Sequence, residues 1–193
     1  MPVDAKKAAE AVLAFLRALG RDPDRDPELA GTPARVAEAW SKDLVDGYDA
    51  DVRGMLASES IPAPPGSHGI VALRGLSVTT ICPHHLLPGR GTATVLYLPS
   101  ARITGLGTLS RLVDAFSHRL SLQETIATSV AQALVEHLGA RGAACKLSMS
   151  HSCLTSRGER QENAIVETIA FAGTFEHSGP DRDLALAALV EGA

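Results

Sequence analysis

The run that follows Gly142 constrains the fold of this chain most, because it alternates residue by residue between apolar and polar. Its apolar residues are Ala143, Cys145, Leu147 and Met149, and its polar residues are Lys146, Ser148 and Ser150. Side chains alternate across a β-strand, so this pattern is typical of an antiparallel strand with one buried face.

The elements around this strand indicate an α+β domain. β-branched residues predict strands over 70–81 and 92–98, and a last strand over 165–171. Apolar residues at helical spacing predict one helix around Leu109–Phe116, a second over Leu122–Leu138 and a short terminal helix over Leu184–Val190. The predicted order after residue 69 is strand, strand, helix, helix, strand, strand.

The N-terminal part predicts helices instead. Asp4 can cap a helix that ends at Gly20, and Thr32 before Pro33 predicts the N-cap and first turn of another helix. Prolines and glycines then crowd the segment from Ser58 to Gly69. We therefore expect an N-terminal helical region over 1–57, a linker over 58–69 and a second domain over 70–193.

Charge and cysteine usage exclude several classes of partner. The formal net charge of −4 offers no general attraction to nucleic acid or an anionic membrane, so an anionic substrate would need a local basic pocket. No run is apolar enough for a signal peptide or a membrane span. Three cysteines without a secretion signal favour the cytoplasm, and metal or catalytic use over disulfides.

Two short clusters at predicted strand ends hold the candidate metal ligands: Cys82, His84, His85, His151 and Cys153. Zinc favours thiolate and imidazole, and a catalytic zinc has three protein ligands and one open position. Adjacent residues of an extended segment point to opposite sides. One histidine of the pair 84 and 85 is therefore left for proton transfer, while His151 and Cys153 should point the same way.

Cys145 lies roughly 26 Å back from Cys153 along an extended strand, so we interpret it as a core residue. The alternatives to a catalytic metal are a structural zinc site, or two clusters that never meet.

Several blocks in family order make the chain resemble the GTP cyclohydrolase I family over about residues 30–175. The blocks are Thr32-Pro33-Ala34-Arg35, Cys82-Pro83-His84-His85, Gly105-Leu106 with Arg111, Leu122-Gln123-Glu124, His151-Ser152-Cys153 and Arg157-Gly158. The resemblance implies the tunnelling fold, a four-stranded antiparallel sheet with two helices on one face, here with an N-terminal helical extension. It also implies a homo-oligomer of two stacked rings, a decamer.

The resemblance further implies hydrolysis of the GTP imidazole ring at C8, with release of formate and formation of 7,8-dihydroneopterin triphosphate. By position, Cys82, His85 and Cys153 would hold Zn²⁺ and activate a water, while His84 and His151 would transfer protons. Glu124, with Gln123, would bind the guanine. The triphosphate would lie against Arg35, Arg111 and Arg157.

The chain departs from the family pattern in two places. Pro83 replaces a glutamate and should stiffen the ligand loop without removing a ligand. Thr108 and Glu38 stand where the family has lysines that face the triphosphate. Backbone N–H groups at Gly107 and Thr108, at a helix start, could replace the lost cation. Alternatively, the substrate carries fewer phosphates.

Other interpretations stay open at this point. Ser121 and Glu124 also form a capping-box pattern, so Glu124 could simply hold a helix start. Arg111 could be a solvated helix residue, and Arg157 could pair with Glu159 or Glu162. A paralogue acting on another purine or pterin remains an alternative, as does a non-catalytic, zinc-stabilised ring that binds a nucleotide.

Overall fold

The computed structural model describes residues 3–66 and 69–190, so the outer ends of the first and last predicted regions and two residues of the predicted linker lie outside it. Its α-helices are α1 (Ala5–Ala18), α2 (Thr32–Ala39), α3 (Val52–Ser58), α4 (Leu106–Ser117), α5 (Gln123–Glu136), α6 (Ser152–Thr155) and α7 (Pro180–Val190). Its strands are β1 (Ser60–Pro62), β2 (Val71–Ile81), β3 (Pro88–Leu98), β4 (Arg102–Thr104), β5 (Gly142–His151) and β6 (Val166–Gly173). Short 3₁₀ turns at Pro27–Leu29 and Asp46–Asp49, and a π-helical turn at Trp40–Leu44, connect the N-terminal helices.

The centre of the fold is a four-stranded antiparallel sheet in the order β2-β3-β5-β6. Helices α4 and α5 cover one face of it, where the apolar set of β5 is fully buried. The main partners in this core are Val95, Tyr97, Cys145, Leu147, Leu109, Leu112, Ile126, Val130 and Leu134. Burying each large side chain contributes roughly 1.5–3 kcal/mol. The predicted α+β tunnelling fold, with two helices on one face, is confirmed.

The other face of the sheet is covered only in part, by α7. Because β3 is a strand, Val95 and Tyr97 point towards α4 and α5 while Leu96 and Leu98 point away. The latter two pack with Phe175, Ala185 and Leu189 in a second, smaller core. The terminal helix was predicted from residue 184, and in the structure it begins at Pro180.

The first helix starts as the sequence predicts and the second does not. Asp4 caps α1 by accepting a hydrogen bond from the Lys7 N–H at 3.1 Å. The predicted Thr32 cap of α2 is wrong. Gly31, with φ 74°, is the N-cap, so Thr32 already has helical backbone, and its hydroxyl accepts a hydrogen bond from Arg35 at 3.0 Å.

A short strand lies within the segment predicted as a linker. β1 pairs with β4, and the Arg102 Nε donates to the Ser60 hydroxyl at 2.7 Å. The many prolines in this segment predicted a linker and not a strand. Pro62 is the last residue of β1, which belongs to a two-stranded sheet, and proline is tolerated in such an edge strand. The division of the chain at residues 58 and 69 stays a prediction. Within the described ranges, no helix has both the length and the apolar character that crossing a bilayer requires.

Candidate active site

The sheet order brings the two predicted ligand clusters to the same end of the strands. β3 lies between β2 and β5 and runs antiparallel to both, so the C-terminal ends of β2 and β5 lie side by side at that end of the sheet. Ile81 pairs with Pro88, and His151 pairs with Gly89 on the other side of β3. The chain segments that continue from β2 and from β5 therefore flank the start of β3.

The loop from Cys82 to Leu87 is closed by its own backbone. The Cys82 N–H donates to the Leu87 carbonyl, and the Leu86 N–H donates to the Cys82 carbonyl, both at 2.9 Å. Leu86 adopts φ 53°, a left-handed conformation that is uncommon for a residue with a side chain. This tight loop folds His85 back onto Cys82, so that its Nδ1 lies 3.7 Å from the Cys82 sulfur.

Cys153 completes a group of three candidate ligands. The ligand atoms of Cys82, His85 and Cys153 all lie within 4.8 Å of one another. Sulfur and nitrogen ligands around a tetrahedral zinc are about 3.5–3.8 Å apart, so the three side chains fit the metal with a small closing movement. Burial, followed by the neighbouring Cys82 sulfur, raises the pKa of the Cys153 thiol. A cation between the sulfurs would reverse that effect.

Strand alternation does not orient Cys153 as predicted, because the strand stops at His151 and α6 begins at Ser152. Cys153 nevertheless reaches the group from the first turn of this short helix. Cys145 stays apart from it, fully buried in the core, where desolvation raises its thiol pKa to about 12. Its interpretation as a core residue is confirmed.

A cavity of about 260 Å³ lies beside the three ligands. Leu122 and Val166 are among its apolar walls, and its polar lining comes from Cys82, His84, Ser121, Gln123, Glu124, His151 and Cys153. The His84 and His85 rings stand nearly perpendicular, with centroids 6.2 Å apart. His84 lines the cavity while His85 lies against the sulfurs, so the two rings have different surroundings, and the roles predicted for them stay predictions.

His151 is held in one orientation by Gln123. The His151 Nε2 lies 2.7 Å from the Gln123 Oε1, and the Gln123 Nε2 donates to the carbonyls of Val166 at 2.9 Å and Leu147 at 3.3 Å. Because the amide nitrogen serves two carbonyls, the amide oxygen is the acceptor, and the His151 Nε2 carries the hydrogen. Burial lowers the pKa of His151, and the Glu124 carboxylate opposes that shift.

The side-chain amide of Gln123 is engaged within the protein although the residue lines the cavity, and its predicted part in substrate binding stays a prediction. The residue is 3% exposed, and both ends of its amide are bonded within the protein. Its place in the structure is that of a positioning residue for His151.

Gly89 makes room for the same imidazole, and sequence analysis missed it. A Cβ at this position would lie 2.8 Å from the His151 Nδ1 and 3.0 Å from its Cε1. A glycine inside a strand often marks such a close approach, and this was the available signal.

Glu124 does not belong to a capping box. The N-cap of α5 is Leu122, and the Ser121 hydroxyl bonds only to the Leu122 carbonyl, at 3.4 Å. Glu124 lies exposed in the first turn of α5, where the helix dipole favours its negative charge. The carboxylate is therefore free to face a ligand in the cavity.

Most of the predicted phosphate-binding residues lie away from this cavity within one chain. Arg35, in α2, donates to the Ala30 carbonyl at 2.9 Å and to Thr32. Gly107 is exposed in the first turn of α4. Arg157 lies near enough to Cys153 for its positive charge to oppose the rise in that thiol's pKa, and in the described part of the chain it forms no salt bridge with Glu159 or Glu162.

Thr108 and Arg111 share one partner, which sequence analysis did not single out. The Thr108 hydroxyl donates to the Glu59 Oε2 at 2.7 Å, and the Arg111 guanidinium donates to the same oxygen. Glu38 pairs with Lys42 at 2.7 Å, one turn along the chain. No local pattern points to Glu59, because its contacts span 49 and 52 residues.

Comparison with known proteins shows which proteins this chain is similar to. The sequence matches the family model described as GTP cyclohydrolase I over residues 8–189. A protein named GTP cyclohydrolase 1 from Chromobacterium violaceum is 41% identical over 189 residues, covering 97% of this chain and 89% of that protein. Its namesake from Ralstonia nicotianae is 39% identical over 182 residues, covering 91% of this chain and 82% of that protein. Among solved structures, the apo archaeosine synthase QueF-Like aligns with a TM-score of 0.46 and 16% identity, over 61% of this chain and 99% of that chain.

Proposed function

Because this chain belongs to the GTP cyclohydrolase I family, we propose that it hydrolyses the imidazole ring of GTP at C8. The products would be formate and 7,8-dihydroneopterin triphosphate. The observation that carries the proposal is the meeting of Cys82, His85 and Cys153 beside a cavity that His84, His151 and Glu124 line. Three candidate metal ligands next to titratable side chains in a concave site are the combination that metal-dependent hydrolysis uses.

Cys82, His85 and Cys153 would hold the zinc ion. When bound at three protein ligands, zinc supplies a Lewis acid with one open position, which activates water near neutral pH. The closed loop from Cys82 to Leu87 keeps two of the ligands in place.

His84 and His151 would move protons. His84 lies on the cavity side of the ligand loop, from which it can donate a proton to the purine ring as the ring opens. His151 would act as a second acid or base, and its hydrogen bond to Gln123 keeps the ring oriented. Burial favours the neutral form of His151, so it can accept a proton near pH 7.

Glu124 would select the base. A carboxylate presents two acceptor oxygens, which match the N1–H and the 2-amino group of guanine. Adenine offers no such pair of donors on that edge, so binding it would leave the carboxylate unpaired. Glu124 lines the cavity from the first turn of α5, and it is the one carboxylate among the described residues that line this cavity.

The triphosphate would bind to cations from more than one subunit. Arg35, Thr108 and Arg111 do not line the metal cavity of their own chain. Within the described residues, β2 and β6 are the edges of the sheet and can pair with further copies. A ring of copies, stacked as a decamer, would place Arg35, Arg111 and the Thr108 hydroxyl at a neighbour's cavity. We expect this assembly to work in the cytoplasm.

Zinc content of purified variants tests the proposal. Cys153→Ala should lose most of its zinc and its formate production from GTP. Cys145→Ala is the control, since it removes the buried thiol of β5, which lies apart from the ligand group. Full zinc occupancy in Cys153→Ala would disprove the ligand assignment. Chelation separates a catalytic site, which stays largely folded, from the alternative of a zinc-stabilised binding ring, which melts.

A further inference from the structure

Glu59 lies directly against two residues that the proposed function assigns to phosphate binding. It follows the last residue of α3, and its Oε2 accepts hydrogen bonds from the Thr108 hydroxyl and the Arg111 guanidinium. Thr108 and Arg111 lie on successive turns of α4. Their donors therefore converge on one oxygen of a carboxylate that belongs to the protein itself.

The carboxylate is ionised in this setting. The hydrogen bond from Thr108 lowers the pKa of Glu59 most, and the positive charge of Arg111 lowers it further. A hydroxyl, a guanidinium and the start of a helix are also the groups that proteins use to bind phosphate. Glu59 thus occupies a position suited to an anion, and its charge balances that of Arg111.

We propose that Glu59 is a specificity-determining residue that weakens the binding of the phosphate chain at α4. The inference rests on the proposed function, in which this helix contacts the triphosphate. A phosphate that approaches Arg111 must displace the Glu59 carboxylate and then remain close to its negative charge. Both effects oppose binding, and they grow with the charge of the ligand.

The pair is accessible enough for this competition to occur. The side chains of Arg111 and Glu59 are 55% and 40% exposed. Exposed ion pairs are weak, so a multiply charged ligand can break this one.

The test compares wild-type protein with Glu59→Gln at one fixed salt concentration. Glutamine keeps the shape of the side chain and one acceptor oxygen for Thr108, and it removes the negative charge by replacing the other oxygen with an NH2 group. Isothermal titration would measure the binding of inorganic tripolyphosphate and of guanosine to the full chain. Glu59→Gln should bind tripolyphosphate about tenfold more tightly, the scale expected from one nearby charge in a partly solvated site. Guanosine binding should not change.

Glu167→Gln is the matched control, because it removes a carboxylate charge from an ion pair with Lys146 on the other face of the sheet. Glu59→Ala serves as a second variant if the glutamine substitution impairs folding. In an Arg111→Ala background, the gain from Glu59→Gln should shrink to less than threefold.

Equal or weaker tripolyphosphate binding by both folded Glu59 variants would overturn the inference, as would an equal gain in Glu167→Gln. This result is distinct from a failure of the proposed function, in which the wild-type protein would release no formate from GTP.

Discussion

Replacing Gln123 by methionine removes a buried polar anchor while keeping the length of the side chain. The wild-type amide makes three hydrogen bonds, two to strand carbonyls and one to His151. Because Gln123 is 3% exposed, water cannot replace these partners freely. The variant should therefore be less stable, and its His151 ring should lose its fixed orientation.

The size of the effect follows from those bonds. Each buried group that loses its partner costs about 1–3 kcal/mol, so the free energy of unfolding should fall by roughly 2–5 kcal/mol, since the carbonyls can share other donors. For a chain of this size, each kcal/mol lowers Tm by about 2–4 °C. We expect a Tm decrease of about 5–15 °C, because methionine fills the space and leaves little cavity.

The assay measures kcat and KM for formate release from GTP, well below the Tm of the variant and with zinc content checked. If His151 moves a proton, kcat should fall by about 10²–10⁴-fold, with KM changed far less. Gln161→Met, at an exposed loop position, is the control and should change neither Tm nor kcat. A destabilised Gln123→Met that keeps wild-type kcat would show that Gln123 only supports the fold.

Three further predictions concern the same cavity. Gly89→Ala should push the His151 ring away, lowering kcat at full zinc occupancy, whereas Gly69→Ala, where an added Cβ meets nothing within 4 Å, should leave kcat unchanged. His84→Ala should keep its zinc and lose turnover, and loss of the metal would show that the two histidines are wrongly divided. Glu124→Gln should weaken guanine recognition by about 2–5 kcal/mol in kcat/KM, and unchanged turnover would remove Glu124 from base selection.

The core of the fold could be predicted because its elements are encoded by local patterns. The alternation after Gly142 corresponds to β5, and the β-branched run over 70–81 corresponds to β2. The strand predicted from Thr92 instead begins at Pro88. Proline and two glycines are poor strand formers, but pairing with strands on both sides overrides that preference.

The sequence could predict the three candidate ligands that the structure brings together, but not the contacts that support the site. Cys82, His85 and Cys153 stand in short motifs, which sequence alone can show. The contact of Glu59 with Arg111, and the bonds of Gln123 to two strands, join residues far apart in the chain. Such contacts depend on how helices dock, and no local spacing encodes them.

The most direct test of the account uses GTP labelled with ¹³C at C8. Zinc-loaded protein should convert it to labelled formate, one equivalent per GTP consumed, as followed by ¹³C NMR, while a pterin absorbance appears in parallel. Cys153→Ala, measured beside it, should produce none. If the label stays in the purine while phosphate is released, or if GTP is not consumed by folded, zinc-loaded protein, ring opening at this site is contradicted.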